Sequence, residues 1–268
     1  MLAGGRPRSG HLYPAAVATF SDLLARRIGE DPGRPLVTYY DLETGERVEL
    51  SVTTYANWVA KTASLLADEH DLERGATLRV DLPAHWLGPV FLGAAWLLGL
   101  AVTVRDEPDA VVTGPDDVDR WAPYAARIPV LACALLPMGV RFTDPLPAGV
   151  HDVGVEVWSQ PDGYSPFDPP RGTDLATQGV TGGLTHDELW SQAAVGSSLA
   201  DGGRLLAVAN PASPSGLASF VEPFARSGSV VLVSAPSQLS GGPLDVGRLE
   251  RIAADERCTD RFLGLDLP

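Results

Sequence analysis

A segment rich in glycine and threonine offers the first residues whose types and spacing could do chemistry. It reads TQGVTGGLTH and covers residues 177–186. Glycine-rich turns can point several backbone N–H groups at one anion, such as a phosphate group. The candidate residues for such a phosphate loop are Thr177, Gly179, Thr181, Gly182, Gly183, Thr185 and His186. The same pattern also fits a tight glycine turn with only a structural role, and we favour this second interpretation.

A phosphate loop needs cations as well as N–H groups, and lysine is scarce in this sequence. Lys61 is the only lysine of the chain and is distant in sequence from segment 177–186. Arg171 is nearer, but its planar guanidinium group does not replace the compact ammonium group of lysine at such a site. The shortage of cations therefore favours the structural interpretation.

His186 stands at the end of this segment, where a helix is predicted to begin. It could serve as a general base if a nucleophile or a water lay within hydrogen-bond reach. In the alternative, Thr185 caps the helix, and Asp187 and Glu188 complement the helix dipole in its first turn. We favour the capping role.

A second candidate site is the run NPASPSG, which follows a predicted strand. Open α/β sheets bind ligands at the carboxyl ends of their strands. The sequence therefore predicts a small-ligand crevice formed by Asn210, Ser213, Ser215 and Gly216. A proline-stiffened turn with a serine cap explains the run equally well.

Two other chemistries are disfavoured. A hydrolase triad would combine Ser213 or Ser215 with His151 and an acid, yet no G-x-S-x-G elbow surrounds these serines. The acidic runs at 106–109 and 115–119 lack the spacing of a calcium loop and are typical of solvated helix caps. The sequence thus predicts no catalytic residue and no metal ligand.

Charge and cysteine usage narrow the class of protein. The 268 residues include 34 acidic side chains and 20 Lys and Arg, and the formal net charge of −14 disfavours nucleic-acid binding. Cys133 and Cys258 lack CxxC spacing, which predicts two reduced thiols in a cytoplasmic protein.

The uncharged run 86–104 nearly has the length of a membrane span. Because it contains Pro89 and ends in AVTV, it predicts a buried helix that leads into a buried strand, with no membrane contact.

The elements that would position these residues alternate between helix and strand. A hairpin is predicted at 35–52. Further strands are predicted at 77–82, 101–104, 110–113, 130–134, 153–158, 204–209, 229–234 and 261–265, and helices at 19–30, 53–69, 115–127, 187–199, 216–226 and 245–255. The alternation predicts an α/β fold of layered, mainly parallel sheets flanked by helices.

Composition divides the predicted fold into three parts. Residues 1–135 form a first α/β lobe and residues 173–268 a second one. The connection at 136–172 is irregular and rich in proline and glycine.

The order of these elements resembles the beginning of the adenylate-forming superfamily, which includes acyl-CoA synthetases, luciferases and nonribosomal adenylation domains. The matching features are the helix FSDLLARRIGEDPGRPLV, the hairpin with TGE, the helix start at Thr54-Tyr55, the strand GATLRVDLP and the passage FLGAAWLLGLAVTV. Segment 177–186 is similar to the phosphate loop of that family, T-S-G-[ST]-T-G-x-P-K-G followed by T-H. Here Gln178 and Val180 replace small hydroxyl residues, and the Pro-Lys-Gly is missing. The runs GGRLLAVANPASPSGLASFVEPFARSGSVVLVS and LERIAADERCTDRFLG resemble the family segments that follow.

This resemblance implies the fold of the N-terminal part of such an enzyme, with run 210–216 at the position that lines the acyl pocket in the family. In the family, later motifs bind adenine, magnesium and ribose, and a small swinging C-terminal domain carries a catalytic lysine. We find no counterpart of these motifs and expect no swinging domain. We therefore predict a non-catalytic relative with a small-ligand-binding or regulatory role. It would need no cofactor and would retain at most vestigial ATP or AMP binding.

Two alternatives stay open. In the first, the chain is one half of a split acyl- or amino-acid-activating ligase that a partner chain completes. In the second, it is an interaction module that reuses the fold and forms homodimers. A protein partner or a homodimer is the expected assembly, without nucleic acid.

Overall fold

Helices and strands alternate through residues 19–179, 182–235 and 245–263, which are the residues described by the computed structural model. The strands are β1 Pro35–Asp41, β2 Arg47–Ser51, β3 Thr77–Asp81, β4 Ala101–Thr103, β5 Ala110–Thr113, β6 Val130–Ala132, β7 Val150–Asp152, β8 Leu175–Gln178, β9 Gly183–Thr185, β10 Arg204–Ala207, β11 Ser229–Ser234 and β12 Asp260–Phe262. The α-helices are α1 Phe20–Glu30, α2 Val52–Ser64, α3 Leu87–Leu98, α4 Val118–Trp121, α5 Val153–Glu156, α6 His186–Ala194, α7 Ala218–Ala225 and α8 Val246–Asp255. The α/β class predicted from the sequence is confirmed.

The strands form two sheets, and neither sheet comes from one part of the chain. Sheet I has the order β12-β10-β11-β1-β2, and sheet II has the order β7-β6-β5-β3-β4-β8-β9. Pairing is parallel except in the hairpins β1–β2 and β8–β9. Strands from both sides of the connection at 136–172 therefore meet in each sheet. The boundaries of the predicted lobes do not separate the sheets, because strand pairing joins segments that are distant in sequence.

One apolar core fills the space between the sheets. Along β11, Val230 and Leu232 face this core, whereas Val231 and Val233 face the opposite side of sheet I. The inner helices α1, α2, α3, α6 and α7 supply its aromatic cluster, which consists of Phe20, Tyr55, Trp96, Trp190, Phe220 and Phe224. Helix α8 covers the outer face of sheet I, and α4 covers the outer face of sheet II.

The uncharged run at 86–104 folds as predicted, as a helix that leads into a strand. Helix α3 ends at Gly99, whose φ of 75° lies in the left-handed region, and β4 follows two residues later. Every residue of α3 is buried. Within the described ranges, no helix is long and apolar enough to cross a membrane.

The strand predicted at 153–158 is wrong. These residues form α5 and a 3₁₀ turn, and the strand of this segment is β7, immediately before them. The carboxylate of Asp152 accepts a hydrogen bond from the N–H of Gly154 at 2.9 Å. This bond caps a helical turn and ends the strand.

Two predicted helices are shorter than expected. Segment 115–127 contains two 3₁₀ turns around the short α4, and Pro123 has no N–H to continue a helix. The helix predicted at 187–199 ends with α6. Beyond it, the carboxylate of Glu222 on α7 accepts a hydrogen bond from the N–H of Ser198 at 2.8 Å, so tertiary contact replaces the last helical turn.

The close approach of α2 and α3 depends on Gly93. A Cβ atom at this position would lie 2.3 Å from the Tyr55 hydroxyl and 2.8 Å from Val59. The Tyr55 hydroxyl also donates to the Pro89 carbonyl at 2.9 Å, which fixes its place. We expect Gly93→Ala to lower the free energy of unfolding by about 1–3 kcal/mol through overpacking, measured by urea denaturation.

Gly29, in helix α1, is the matched control. Nothing lies within 4 Å of a Cβ atom at this position. Gly29→Ala should be neutral or should stabilise the protein by up to about 1 kcal/mol, because alanine favours the helix. Equal destabilisation by both substitutions would contradict this account of the α2–α3 contact.

His85 is a buried titratable group between the two sheets. Its ring centroid lies 4.8 Å from that of Tyr39, and its Nδ1 accepts a hydrogen bond from the N–H of Leu87 at 3.2 Å. Burial lowers the pKa of His85 from 6.5 to about 4. The folded protein therefore keeps this imidazole neutral at pH values where the unfolded chain binds a proton.

This difference in pKa makes stability depend on pH. The stability associated with the neutral ring is fully present above pH 6.5 and falls as the pH drops towards about 4. The loss reaches about 3 kcal/mol. We expect His85→Asn, which keeps an acceptor for the Leu87 N–H, to lose less stability than the wild type between neutral pH and about pH 4.5, measured by urea unfolding. Parallel losses in both proteins would exclude His85 as the source.

Candidate functional site

The glycine-rich segment forms the hairpin between β8 and β9. Gln178 pairs with Gly183 across the hairpin, and the N–H of Gly179 donates to the carbonyl of Gly182. A Cβ atom at Gly183 would lie 2.2 Å from the carbonyl oxygen of Thr177, so only glycine fits there. The predicted candidate Thr181 lies outside the described residues.

Hydrogen bonds within the hairpin and from β4 hold this hairpin in place. The hydroxyl of Thr177 accepts from the N–H of Leu184 at 3.1 Å, and the hydroxyl of Thr103 at the end of β4 donates to the carbonyl of Gln178 at 3.0 Å. The hairpin is therefore joined firmly to the carboxyl end of sheet II.

The loop after β10 connects the two sheets through Asn210. Its side-chain amide donates to the carbonyl of Leu82, just after β3, at 2.7 Å. Its side-chain oxygen accepts from the N–H of Ala212 at 3.0 Å. The hydroxyl of Ser213 then donates to the Asn210 carbonyl at 2.8 Å and accepts from the N–H of Gly216 at 3.1 Å. The carboxyl ends of β3 and β10 thus lie side by side.

The two predicted segments meet around one groove with a volume of about 350 Å³. Its described walls are Val102, Val104, Thr177, Gln178, Gly179, Gly182, Gly183, Leu184, Ala212, Ser213, Pro214 and Leu217. None of these side chains is charged. The groove can therefore offer hydroxyl, amide and backbone groups beside apolar surface, but no ionic partner from its described walls.

Other predicted residues support this groove without lining its described walls. Asn210, Ser215 and Gly216 belong to the turn beneath Ser213. A Cβ atom at Gly216 would lie 2.0 Å from the Asn210 carbonyl, which explains glycine at this position. The turn is therefore the scaffold that presents Ser213.

Thr185 and His186 start α6. The Thr185 hydroxyl accepts from the N–H of Glu188 at 3.2 Å, and the Glu188 carboxylate accepts from the N–H of Thr185 at 2.9 Å. This reciprocal capping box confirms the predicted capping role. The ring of His186 is fully buried with both nitrogens unpartnered among the described residues, and burial lowers its pKa. It does not belong to the described groove wall.

Lys61, the lysine considered from the sequence, lies away from this groove. Lys61 donates to the Gln160 carbonyl and pairs with Asp162 at 3.1 Å. It lines a different groove, of about 330 Å³, together with Trp58 and Trp158. The lysine is therefore committed to another part of the fold.

The hydrolase combination considered above is not assembled. The hydroxyl oxygens of Ser213 and Ser215 are 3.5 Å apart beside the groove. His151 is on β7, at the opposite edge of sheet II from β9, and its Nδ1 contacts the carboxylate of Glu156. The serines and this histidine have separate structural neighbours.

Sequence reasoning missed the apolar half of the groove wall. Val102 lies on β4 and Val104 directly after it, while Ala212 and Leu217 lie in the loop that precedes α7. Apolar residues of this kind occur throughout any α/β core, so no local pattern distinguishes them. The pairing of β4 with β8 is what places them beside the glycine hairpin.

The described fold matches part of the fold of two solved ligase structures. The chain matches an acyl-CoA synthetase of Brucella canis with a TM-score of 0.73 and 15% sequence identity, over 92% of this chain and 47% of that protein. It also matches the anthranilate CoA ligase AuaEII, solved in complex with anthranoyl-AMP, with a TM-score of 0.68 and 10% identity, over 91% of this chain and 48% of that protein. The chain thus spans about half the length of these solved structures, and the likeness concerns the fold.

The family is shown by a relative of similar extent. The chain is 35% identical, over 237 residues, to a TIGR03089 family protein of Mycobacterium tuberculosis (strain ATCC 25618 / H37Rv), and the match covers 85% of this chain and 91% of the relative. The chain belongs to the TIGR03089 family. No protein-family model matches it.

The hydrogen bonds of Asn210 provide a test of how the groove is built. Asn210→Ala removes the donor to the Leu82 carbonyl and the acceptor for the Ala212 N–H. We expect a loss of about 1–3 kcal/mol in the free energy of unfolding, because two partly buried backbone groups lose their partners. Urea denaturation measures this loss.

Asn210→Asp separates the two bonds. The aspartate keeps an acceptor for the Ala212 N–H but places a carboxylate against the Leu82 carbonyl, so it should also destabilise the protein. An alanine variant as stable as the wild type would show that Asn210 does not hold the sheets together.

Proposed function

We propose that this protein is a non-catalytic small-molecule-binding protein built on an acyl-CoA synthetase-like fold. The ligand lies in the groove between the β8–β9 hairpin and the loop at 210–217. It is an uncharged acyl or aromatic group, or the uncharged end of a larger molecule.

The observation that carries this proposal is the absence of charge from the described groove wall. Phosphate groups need positively charged side chains or metal ions nearby, because unbalanced anionic charge is costly to remove from water. An apolar wall with a few hydroxyl and amide groups instead suits a neutral ligand. The aromatic acyl group in the anthranoyl-AMP complex of the ligase AuaEII is a ligand of this class.

The same argument supports a role other than adenylation for this chain. Lys61 is bound to Asp162 and the Gln160 carbonyl instead of facing the glycine hairpin.

We also propose that the protein is cytoplasmic. Cys133 is buried, Cys258 is half-buried, and both are free thiols, which supports this proposal.

A thermal-shift experiment tests the proposed ligand class. The neutral probes are anthranilamide and octanamide, and the charged probes are ATP, AMP and CoA with and without Mg²⁺. A ligand that binds only the folded state raises stability by about 2.7 kcal/mol at one hundred times its Kd. We expect a neutral probe to raise the Tm by about 5–10 °C under that condition. No effect is expected from ATP with Mg²⁺.

Two other outcomes of the thermal-shift experiment would contradict the proposal. If no neutral probe raises the Tm, the proposal is wrong. A shift with ATP or AMP would also overturn it and would favour a half of a split ligase, in which a partner chain supplies the missing charges.

A substitution locates the binding. Val104→Trp would fill the groove from the end of β4 and should abolish the shift caused by a neutral probe. Val246→Trp is the matched control, because Val246 is 63% exposed on α8, on the outer face of sheet I. Binding that survives Val104→Trp would place the ligand elsewhere.

A further inference from the structure

Three side chains with metal-binding atoms meet at the β7 edge of sheet II, away from the groove. His70 follows a π-helical turn that extends α2, His151 lies on β7, and Glu156 ends α5. One ligand atom from each lies within 4.8 Å of the others. They belong to three different local elements, so only the tertiary structure brings them together.

The two imidazole rings point towards one carboxylate. Nε2 of His70 lies 3.2 Å from one oxygen of Glu156, and Nδ1 of His151 lies 3.0 Å from the other. The ring centroids of the two histidines are 4.4 Å apart, with the rings nearly perpendicular. In a tetrahedral zinc site, bonds of about 2.0–2.2 Å place the ligand atoms about 3.3 Å apart. The two distances to the carboxylate already match this spacing, whereas ligand atoms that are up to 4.8 Å apart would approach one another by side-chain rotation.

One side chain of this cluster is buried and the other two are partly exposed. The His70 side chain is only 4% exposed, whereas those of Glu156 and His151 are 30% and 40% exposed. A cation could enter from the solvent side, and a water molecule could complete its coordination. The chain as a whole is also acidic, with a formal net charge of −14, which attracts cations to the protein.

We propose that His70, His151 and Glu156 form a site for a divalent transition-metal ion, and that the bound ion is Zn²⁺. Two imidazoles and one carboxylate are a donor set that suits zinc and disfavours magnesium or calcium. The ion joins the end of the π-helical turn to the β7–α5 segment. This site extends the molecule's chemistry beyond the proposed ligand groove, and neither depends on the other.

The test uses the full chain without an affinity tag, stripped of metal with EDTA and dialysed. Titration with Co²⁺ should give visible d–d absorption bands of a low-symmetry site, with one ion per chain. Zn²⁺ should displace the Co²⁺, bleach these bands and raise the Tm. A wild-type protein that develops no such bands and shows no stoichiometric Zn²⁺ binding by calorimetry would overturn the proposal.

Variants assign the ligands. His151→Gln and Glu156→Gln change partly exposed side chains and should each weaken Zn²⁺ binding at least about tenfold, because mutating even a residue that only supports a metal ligand has an effect of that size. Glu73→Gln is the matched control, because Glu73 is an exposed carboxylate outside the cluster, and it should bind as the wild type does. Circular dichroism verifies folding, and His70→Gln completes the series if that variant folds. Unchanged Zn²⁺ affinity in folded His151→Gln and Glu156→Gln would show that the ion binds elsewhere and that the three residues form only hydrogen bonds.

Discussion

The shared core between two sheets is the constraint on which the rest of this structure depends. Its inner helices bury aromatic rings against one another, as in the stacking of Phe20 on Phe224 at 5.0 Å between ring centroids. Helix α3 has no polar face and packs so closely on α2 that a glycine is needed at position 93. Because this core holds sheets I and II together, the carboxyl end of β10 in sheet I lies beside that of β3 in sheet II.

This contact between the strand ends explains both the position and the chemistry of the groove. Asn210 connects the loop after β10 to the end of β3, and the β8–β9 hairpin forms the opposite wall. Many hydrogen-bonding groups of these loops bond to other groups of the same loop, as the hydroxyl groups of Thr177 and Ser213 do. What remains at the surface of the described wall is neutral. The acyl-CoA synthetase of Brucella canis shares this fold over 47% of its length, yet a fold does not determine which chemistry its loops perform.

The two edges of sheet II differ in character. The edge at β9 carries glycine, threonine and aliphatic side chains, whereas the edge at β7 carries two histidines and a glutamate in contact. The segment at 136–172 was predicted as an irregular connection. In the structure it supplies β7 and α5, and through them His151 and Glu156. It thereby becomes part of the architecture and of a candidate ion site.

The sequence by itself determined the elements that depend on local signals. The apolar periodicity, the Thr185 cap and the AVTV ending of the run at 86–104 were sufficient to predict the α/β class and most helices and strands, because these signals depend on residues a few positions apart. Segment 153–158 was misread because its β-branched residues favour a strand, while the capping bond of Asp152 starts a helix. Only the tertiary structure decided which strands pair across the chain, which apolar side chains line the groove, and that His70 meets His151 and Glu156. These contacts join residues that are distant in sequence, so no local sequence pattern predicts them.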